Sequence, residues 1–405
     1  MKKITTLLFI FVSVPFYAQW WIPQNSGVTA NLNDVCGNGG NTVVIVGNGG
    51  VILKTTDGGT HWNIKASGTI ENLTKVQFVN ATTGYVVGTS GTILKTIDGG
   101  ENWTSIATGN TINLYGLSCV NESIFYISGD NGLIKKTIDV GANFVTQNYG
   151  TTYSFKTIQF LNEQVGYASS YDYYGYNSYA FIKTTDGGTT WALVSYQIST
   201  FYFLNENIGF VTSGSVYKTI DGGLNLTIMG GSMAPAADLF SLNENEVWSV
   251  ENSFTLCGCS YFCIDKRNYT ISGDIQEAQN CYADTAGNPP FEAITFADAT
   301  NGYAVGNHGL IYKNTTGNME NLGITELDKA NSVIIYPNPS SNSIVVENKS
   351  DKPIRSIIIS DMNGRKILAT TMVNSTIDIS SFAKGVYLVG LTFDDKSITQ
   401  KLIKQ

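Results

Sequence analysis

The stretch Lys54–Trp62 reads KTTDGGTHW, and close copies recur at Lys95–Trp103 and Lys183–Trp191. Weaker copies begin at Lys136, Lys218 and Lys313. Successive lysines are separated by 41, 41, 47, 35 and 95 residues, and the last gap accommodates two units. Repeats of about 40 residues built from short strands are typical of the blades of a β-propeller.

Each copy predicts four short strands. In the second copy the apolar run Val76–Val79 comes first, and Gly84–Val87 and Thr92–Thr96 follow with a glycine turn between them. Alternation such as that of Ile93, Lys95 and Ile97 fits the two-residue period of a strand rather than the 3.6-residue period of a helix. Asp98 and the two glycines after it supply a tight turn, and Trp103 opens the fourth strand.

The repeats close into a ring if the N-terminal strand completes the last of them. Trp21 lies 11 residues before Leu32, just as Trp62 lies 11 before Leu73. We therefore predict that Trp21–Gly27 is the missing fourth strand of the last blade, which leaves no open sheet edge. The predicted fold is all-β, a seven-bladed β-propeller followed by a small C-terminal β-sandwich. The seven first strands are predicted near Leu32, Leu73, Leu114, Phe155, Phe201, Leu239 and Phe291.

The composition agrees with strands and turns. The 405 residues include 42 Gly, 22 Tyr and 19 Phe, and only 14% are charged. An all-helical fold and a parallel α/β enzyme are disfavoured, because helix surfaces need many Glu, Lys, Arg and Ala. Residues 19–330 carry 13 Lys and Arg against 26 Asp and Glu, a net charge of −13, so nucleic acid is not expected as a partner.

The N-terminus predicts export. Lys2 and Lys3 precede the apolar run Ile4–Val14, and the segment ends in Ala18, which is the pattern of a secretory signal peptide cleaved after that alanine. The run is too short for a stable membrane anchor, and we expect no membrane span in the mature protein. The predicted domains are a signal peptide at 1–18, a propeller at 19–324, a linker at 325–332 and a C-terminal domain at 333–405.

The repeat resembles a known motif. Thr55, Asp57, Gly59 and Trp62 form the Thr-x-Asp-x-Gly-x-x-Trp pattern of the Asp-box, or BNR repeat, of sialidase-like and sortilin-like propellers. The longer pattern, Gly-x-x-Gly-x-Ile-x-Lys-Thr-x-Asp-Gly-Gly, is similar to the photosystem II stability/assembly factor propellers over about residues 20–324. The resemblance implies the fold, whereas one fold hosts many unrelated activities.

The C-terminal segment resembles the type A C-terminal sorting domain of the type IX secretion system of Bacteroidetes. The matching residues are Tyr336, Pro337, Asn338, Pro339, the hairpin Asp361–Ile367, Gly385, Tyr387 and the basic C-terminal end. This resemblance implies the type IX machinery as a partner, transit through the periplasm, and a secreted protein or one attached to the outer-membrane surface. It also implies removal of the module on attachment or release. An accessory sandwich that binds a ligand is the alternative for this segment.

The aspartates of the repeat are predicted to be structural. Each occupies the same turn of its own blade, so they are spread around the periphery, whereas glycoside hydrolysis needs two carboxylates about 5–10 Å apart. The predicted structural Asp-box residues are Asp57, Asp98, Asp139, Asp186, Asp221, Trp62, Trp103 and Trp191. Sialidases bind their substrate with an arginine cluster, and Arg267 is the only arginine of residues 19–330, so that activity is excluded.

We predict no catalytic residue. A secreted polysaccharide-acting glycoside hydrolase is the alternative, since two acidic residues on the propeller face would suffice. Four acidic residues could supply such a pair from predicted loops: Asp34, Glu122, Asp172 and Asp238. His61 and His308 lie in predicted turns and are expected to be exposed turn residues rather than general bases.

Four cysteines cluster where the sixth blade lacks an Asp-box: Cys257, Cys259, Cys263 and Cys281. In an exported chain they predict disulfides, with a metal site as the alternative, and their spacing does not determine the pairing. Cys36 and Cys119 lie in first strands and are expected to be small buried residues, with a bond between them left open. We predict no metal and no cofactor.

The main candidate for ligand binding is Ser169–Tyr179, SSYDYYGYNSY, which enlarges the fourth blade where the other blades have a short turn. Its candidate binding residues are Tyr171, Tyr173, Tyr174, Tyr176 and Tyr179. Their flat faces and hydroxyls suit sugar stacking or protein recognition, although a self-packed loop would have the same composition. The sequence therefore favours a non-enzymatic module that binds an extracellular protein or glycan at the cell surface.

Overall fold

The computed structural model describes residues 21–147, 149–170, 180–196, 198–231, 236–256, 259–269, 275–283, 291–315, 333–338, 340–348, 353–361, 365–371, 376–392 and 397–405. The chain divides into two compact units, Met1–Met319 and Glu320–Gln405. In the part of the chain that is described, no helix has the length and apolar character needed to cross a membrane.

The first unit consists of short strands joined by turns. In chain order the strands begin with β1 (Trp21–Gln24), β2 (Leu32–Gly37), β3 (Val43–Gly47), β4 (Ile52–Thr55), β5 (Asn63–Lys65), β6 (Leu73–Phe78), β7 (Gly84–Gly88), β8 (Ile93–Thr96), β9 (Thr104–Ser105), β10 (Leu114–Cys119), β11 (Phe125–Gly129), β12 (Ile134–Thr137), β13 (Val145–Thr146) and β14 (Phe155–Phe160). They continue with β15 (Gly166–Ser170), β16 (Ala180–Thr184), β17 (Ala192–Tyr196), β18 (Phe201–Phe203), β19 (Gly209–Thr212), β20 (Ser215–Thr219), β21 (Thr227–Gly231), β22 (Ala236–Asn243), β23 (Glu246–Leu256), β24 (Cys259–Tyr269), β25 (Ile275–Ala283), β26 (Phe291–Phe296), β27 (Gly302–Gly306) and β28 (Leu310–Asn314). Single 3₁₀ turns occupy Asn48–Gly50, Thr89–Gly91 and Asn307–Gly309.

These strands form four-stranded antiparallel sheets, seven in the described residues up to 315. Six of the sheets consist of consecutive strands: β2–β5, β6–β9, β10–β13, β14–β17, β18–β21 and β22–β25. The other sheet has the order β1-β28-β27-β26, so the N-terminal strand pairs with β28, with Trp21 opposite Asn314. This is the strand pairing that the spacing of Trp21 predicts.

The first strands of neighbouring sheets contact one another in a closed cycle. Contacts run from β2 to β6, β10, β14, β18, β22 and β26, and from β26 back to β2. Trp21 is fully buried beside this closure, with its ring centroid 5.8 Å from that of Trp248 and 6.1 Å from that of Phe296. The N-terminal strand is thus part of the core of the first unit.

Apolar side chains fill the space between adjacent sheets. Val44 and Val46 of β3 pack with Val86 of β7, and Trp103 closes the same cluster. Burial of each such aliphatic side chain contributes roughly 1.5–3 kcal/mol. The alternation of apolar residues in the repeat therefore holds the sheets face to face, while the polar turns lie at their two ends.

The second unit has two sheets around one core. Its strands are β29 (Val333–Tyr336), β30 (Ser343–Asn348), β31 (Ser356–Asp361), β32 (Lys366–Thr370), β33 (Thr376–Asp378), β34 (Gly385–Thr392) and β35 (Ser397–Lys404). The sheet orders are β29-β30-β33 and β32-β31-β34-β35. Ile344 of the first sheet and Val389 of the second belong to the same buried cluster, which joins the two sheets into one body.

Candidate binding face and central channel

The Asp-box turns use their aspartates for internal hydrogen bonds. Thr55 Oγ1 donates to Asp57 Oδ1 at 2.8 Å, and the backbone N–H groups of Gly59 and His61 donate to Thr55 Oγ1 and Asp57 Oδ1 at 2.9 and 3.0 Å. The same bonds recur in the turns of Asp98, Asp139, Asp186 and Asp221. The carboxylate of each aspartate is therefore engaged within its own turn.

These bonds favour the ionised carboxylates. Hydrogen bonds from the backbone and side chain of Asn102 lower the pKa of Asp98 to about 2. Bonds from the backbone and ring of His61 lower the pKa of Asp57 in the same way. His61 is exposed with Nδ1 2.7 Å from Asp57 Oδ2, and His308 is an exposed residue of a 3₁₀ turn with φ 53°, so both histidines lie in turns as predicted.

The tryptophans after the Asp-box turns pack between sheets. The rings of Trp62 and Trp103 meet those of Tyr303 and Phe78 edge to face, each at 6.1 Å between centroids. Trp191 meets a phenylalanine of β14 at 5.8 Å. A buried edge-to-face aromatic pair contributes about 0.5–1.5 kcal/mol beyond its area. Trp62 pairs with a ring of the neighbouring sheet, whereas Trp103 and Trp191 pair within their own sheet and also pack in clusters that contain residues of the preceding sheet.

A tyrosine and a lysine of the repeat, to which the sequence analysis assigned no contact, also join neighbouring sheets. Tyr126 OH and Lys136 Nζ both donate to the carbonyl of Gly187, in the Asp-box turn of the next sheet, at 3.0 and 3.3 Å. Lys313 Nζ donates to the carbonyl of Gly58 at 2.6 Å in the same manner. The recurrence of Lys before each Thr-x-Asp was the signal that could have identified this contact.

The inside of the ring holds a charged cluster. Lys75 Nζ lies 2.8 Å from Asp34 Oδ1, and the N–H of Val76 donates to Asp34 Oδ2 at 2.8 Å. Asp238 Oδ2 accepts from the N–H of Ile294 at 3.2 Å. Asp34 and Asp238 belong to β2 and β22, so the prediction that they lie in loops was wrong. Both carboxylates lie on first strands and bond to the next sheet, and we call the inside of the ring of first strands the channel.

Burial dominates the electrostatics of this cluster. Burial raises the pKa of Asp34 to about 6 against the opposing charge of Lys75, and it raises the pKa of Asp238 too. Burial opposes protonation of Lys75, but the Asp34 and Asp238 carboxylates outweigh it and raise the pKa of the ammonium. Lys75 thus remains the cation between two carboxylates.

Among the described acidic candidates for a hydrolase pair, Asp34 and Asp238 lie near each other and Glu122 lies apart from them. Glu122 lies in the turn after β10, at the end of the sheets where the first strands finish. It accepts a hydrogen bond from Asn80 Nδ2 at 2.6 Å. Asp172 lies outside the described residues. Asp34 and Asp238 do share the channel, but Asp34 is only 2% exposed.

One end of the sheets carries the enlarged connections. Because the strands alternate in direction, the connections between second and third strands all leave at the end where the first strands begin. The connection between β15 and β16 spans residues 171–179, whose five candidate tyrosines lie outside the described residues. Its base is fixed by Ser170 Oγ, which accepts from the N–H of Ala180 at 2.8 Å, and by Ser169 Oγ, which donates to the carbonyl of Ser199 at 3.1 Å. We call this end the loop face.

A polar cluster lies at the loop face beside that base. Asp130 accepts hydrogen bonds from Asn113 Nδ2 at 3.1 Å, Tyr115 OH at 3.0 Å and Ser154 Oγ at 2.6 Å. Lys156 Nζ lies 3.0 Å above the centroid of the Tyr115 ring. The tyrosine ring is thus held by Asp130 on its hydroxyl and covered by an ammonium group.

The cysteines fall into two groups. Cys263 is fully buried and disulfide-bonded. Cys259 and Cys281 lie in β24 and β25, and Cys257 lies outside the described residues. Cys36 and Cys119 are free thiols, so the bond left open between them is not formed. Among the described residues, no three His, Cys, Asp or Glu side chains are grouped as metal ligands would be.

The motif residues of the second unit link its first turn to its last strand. Asn338 Oδ1 accepts from the N–H of Ile403 at 2.9 Å, and Tyr336 is 45% exposed beside it. Tyr387 is buried, and its hydroxyl donates to the carbonyl of Ala383 at 2.8 Å. Gly385 begins β34, Pro337 follows Tyr336, and Pro339 lies outside the described residues.

Two family models match the chain. The model described as photosynthesis system II assembly factor YCF48 matches residues 15–315. The model described as secretion system C-terminal sorting domain matches residues 334–405. No curated protein matches the chain.

Solved structures are similar in fold. A structure described as YCF48 bound to D1 peptide has 18% identity and a TM-score of 0.58, with 74% of this chain and 98% of the other covered. YCF48 from Cyanidioschyzon merolae has 17% identity and a TM-score of 0.55, with coverage of 72% and 98%. The Niastella koreensis GH74 enzyme has 13% identity and a TM-score of 0.58, with coverage of 81% and 59%.

Proposed function

Because the chain belongs to the family of photosystem II assembly factor YCF48 and ends in a match to a secretion-system sorting domain, we propose that it is an exported binding protein. It is a seven-bladed β-propeller, closed by β1, that recognises an extracellular protein or glycan and catalyses no reaction. Its C-terminal unit is a β-sandwich that directs export through the type IX system.

The observation that carries this proposal is the concentration of enlarged connections on the loop face. The connection 171–179 leaves from this face, and so does the turn between β23 and β24, two strands of 11 residues each. The corresponding strands β3 and β4 have five and four residues. Binding residues are typically carried by such loops on a rigid scaffold. Within the family, one solved relative is bound to a peptide, which supports a protein segment as one class of ligand.

The binding assignment is tested with paired surface variants of the full chain. Tyr173→Ala plus Tyr176→Ala removes two aromatic rings from the loop face. Ile97→Ala plus Ile138→Ala, at 70% and 66% exposure in Asp-box turns, is the matched change on the other face. Partner pull-down and glycan-array signals should fall for the tyrosine variant alone. Retention of both signals in the tyrosine variant would overturn the assignment.

A secreted glycoside hydrolase is the second candidate, because GH74 enzymes share the fold and Asp34 and Asp238 share the channel. The hydrogen bonds of Asp34 to Lys75 and Val76 argue for an internal role instead. Release of reducing sugars from plant or algal polysaccharides, lost in the Asp34→Asn plus Asp238→Asn variant, would establish the hydrolase and contradict the binding proposal.

Export rests on the signal peptide at 1–18 and on the sorting motif of Tyr336, Pro337, Asn338, Pro339, Gly385 and Tyr387. Deletion of residues 331–405 should leave a chain with its signal peptide removed but trapped in the periplasm. Appearance of the truncated chain at the cell surface would refute the role of this unit.

The domain limits of 19–324, 325–332 and 333–405 remain predictions, and limited proteolysis of the full chain, with cleavage expected in 325–332, tests them.

The Asp-box aspartates and the tryptophans after them are proposed to act on stability alone. The internal hydrogen bonds of Asp57 and its counterparts support that role.

We propose that the cysteines of the sixth blade form disulfides that stabilise the long hairpin of β23 and β24, and the bonded state of Cys263 supports this. A reductant should then lower the thermal midpoint of the full chain.

A further inference from the structure

The outermost strand of the sixth sheet differs from the outermost strands of the other sheets in the first unit. β25 has nine residues, Ile275–Ala283, whereas β1, β5, β9, β13, β17 and β21 have two to five. The pairing of β25 with β24 runs over nine successive residues without a register shift, whereas shifts interrupt the pairing of β17 and β21 with their neighbours. β25 is therefore a long and regular sheet edge.

The open side of β25 presents backbone hydrogen-bonding groups. In the part of the chain that is described, β24 is the one strand that shares a ladder with β25. β21 of the preceding sheet contacts β25 but belongs to a separate ladder. In an antiparallel sheet alternate residues direct both their N–H and their C=O groups to the same side, so about half of the residues of β25 present these groups away from β24.

The features that protect most sheet edges are missing from the sequence of this strand. A short length, a proline, a lysine or a bulge prevents an edge strand from pairing with another chain. The sequence of β25, IQEAQNCYA, has no proline and no lysine, and its one charged residue is Glu277. By contrast, Pro23 lies in β1 and Lys65 ends β5. An extended chain can therefore add to β25 as a further strand.

The strand behind this edge is fixed by buried contacts. Arg267 of β24 is fully buried and donates to Ser249 Oγ and to Glu251 Oε1 of β23, each at 2.8 Å. Cys263 of β24 is fully buried and disulfide-bonded. Because β25 pairs with this anchored strand along its full length, an added chain would gain backbone hydrogen bonds without first ordering the sheet.

Charge indicates which kind of chain fits the edge. Residues 236–283 carry seven Asp and Glu against two Lys and Arg, a net charge of −5, and residues 19–330 carry a net charge of −13. A second copy of this chain would bring the same negative charge to the edge, whereas a basic segment is attracted to it. We propose that the open edge of β25 binds an extended segment of a partner protein, rich in lysine or arginine, as a fifth strand of the sixth sheet.

Peptide titration with the full chain tests this edge. The probe is an acetylated and amidated nonapeptide of alternating threonine and lysine. The same peptide with glutamate in place of lysine should bind at least about 10-fold more weakly at low salt, and the difference should shrink as added salt screens the charges. Methylation of the backbone nitrogens of the lysine peptide keeps its charge and removes its donors, so it should also weaken binding at least about 10-fold.

Proline variants and hydrogen exchange locate the contact. The N–H groups of Ala278 and Gln279 point to opposite sides of β25, so one of Ala278→Pro and Gln279→Pro removes a donor to β24 and the other removes a donor of the open edge. The variant that keeps the thermal midpoint of the parent chain should bind the lysine peptide about 10-fold more weakly. In the parent chain, bound peptide should protect amides of 275–283 from exchange and leave those of β17 and β21 unchanged.

Each other result overturns the inference. Equal binding of the lysine and glutamate peptides, undiminished binding of the methylated peptide, protection at another strand, or no binding of the lysine peptide does so. A dimer of the full chain in sedimentation that the tolerated proline variant abolishes also does so, because a second copy then occupies the edge. If both proline variants lower the thermal midpoint, the methylated peptide and the exchange pattern decide.

This edge and the loop face are tested separately. Tyr173→Ala plus Tyr176→Ala should bind the lysine peptide as the parent chain does, because the inference does not rest on the proposed function. Failure of the peptide to bind would leave the loop-face assignment intact, and retention of the pull-down and glycan-array signals in the tyrosine variant would leave the edge of β25 intact.

Discussion

Asp34 and Lys75 join the first strands of two neighbouring sheets, with Lys75 Nζ 2.8 Å from Asp34 Oδ1 inside the ring. The second oxygen of the carboxylate accepts the N–H of Val76 at 2.8 Å, so one side chain bonds twice to the next sheet. Polar side chains of other first strands reach the backbone of the next sheet in the same way: Gln77 at Cys119, Ser118 at Phe160, Gln159 at Phe203 and Asp238 at Ile294. The channel is therefore lined by bonds that hold the ring together.

The ionisation of Asp34 should make stability depend on pH. Burial raises its pKa from 3.8 to about 6, so between these values the folded chain binds a proton that the unfolded chain has released. The contribution of this proton to the free energy of unfolding, roughly 1–3 kcal/mol, is fully present below about pH 4 and is lost as the pH rises through about 6. Lys75, Asp238 and Cys36 are the ionisable groups that face Asp34, and burial raises the pKa of Asp238 in the same direction.

Asp34→Asn tests this by denaturant unfolding at a series of pH values. The variant keeps an acceptor for Val76 and should lose most of the slope between pH 4 and 6, and addition of Asp238→Asn should flatten it further. Asp98→Asn is the control, because the pKa of Asp98 is lowered to about 2 and its contribution is lost only as the pH falls. If the free energy of unfolding of Asp34→Asn falls between pH 4 and 6 as steeply as that of the parent chain, Asp34 is not the group that causes this pH dependence.

The effects of removing Tyr126 OH and Lys136 Nζ on the free energy of unfolding should not be additive, because both groups donate to the carbonyl of Gly187. Tyr126→Phe or Lys136→Met alone leaves one donor in place, so each should lower the free energy of unfolding by less than about 1 kcal/mol. The double variant leaves the carbonyl without either donor and should cost about 1 kcal/mol more than the sum. Urea unfolding of the four chains measures this, with Lys135→Met as a neutral control. Strict additivity would show that the shared carbonyl contact does not act between the sheets.

Closure by the N-terminal strand should be visible in one side chain. Trp21 is fully buried whereas Ile22, its neighbour, is 49% exposed. Trp21→Ala should lower the free energy of unfolding by about 3–5 kcal/mol, and Ile22→Ala should change it by no more than about 0.5 kcal/mol. If thermal and denaturant unfolding show that Trp21→Ala changes the free energy of unfolding as little as Ile22→Ala does, β1 is dispensable for the fold.

Removal of an Asp-box carboxylate should affect stability and leave binding unchanged. Asp98→Ala removes the acceptor of Thr96 Oγ1 and of the N–H groups of Glu101 and Asn102, so we expect a loss of about 1–2 kcal/mol, comparable to that of a lost capping residue. Titration of the ligand at a temperature where the variant is folded should give the parent affinity. A stable variant with weakened binding would place function in these turns.

The sequence was sufficient for the features that repeat and insufficient for those that depend on neighbouring sheets. The spacing of Trp21 predicted its pairing with β28, because a strand and its buried aromatic recur at a fixed interval. The same reasoning assigned Asp34 to a loop, although it lies on β2, since a β-bulge and a polar channel both interrupt the apolar alternation. The contact of Lys136 with Gly187 joins residues that are 51 positions apart, and only the packing of two sheets reveals it.

At the candidate site, too, the sequence predicts the feature that departs from the repeat but not the contacts between neighbouring sheets. The length of the 171–179 connection is evident from the repeat, because the other blades have a short turn there. The cluster of Tyr115, Asp130 and Lys156 is not, since its members come from two adjacent sheets and none belongs to the Asp-box motif.

Hydrogen exchange of the full chain, with and without the ligand recovered from the pull-down or glycan array, tests the binding role of the loop face most directly. Bound ligand should protect amides of the loop face, in residues 48–50, 89–91 and 168–181, and leave the Asp-box turns at 57–61 and 98–102 unchanged. Protection confined to the Asp-box turns, or turnover of the ligand during the experiment, would contradict that role.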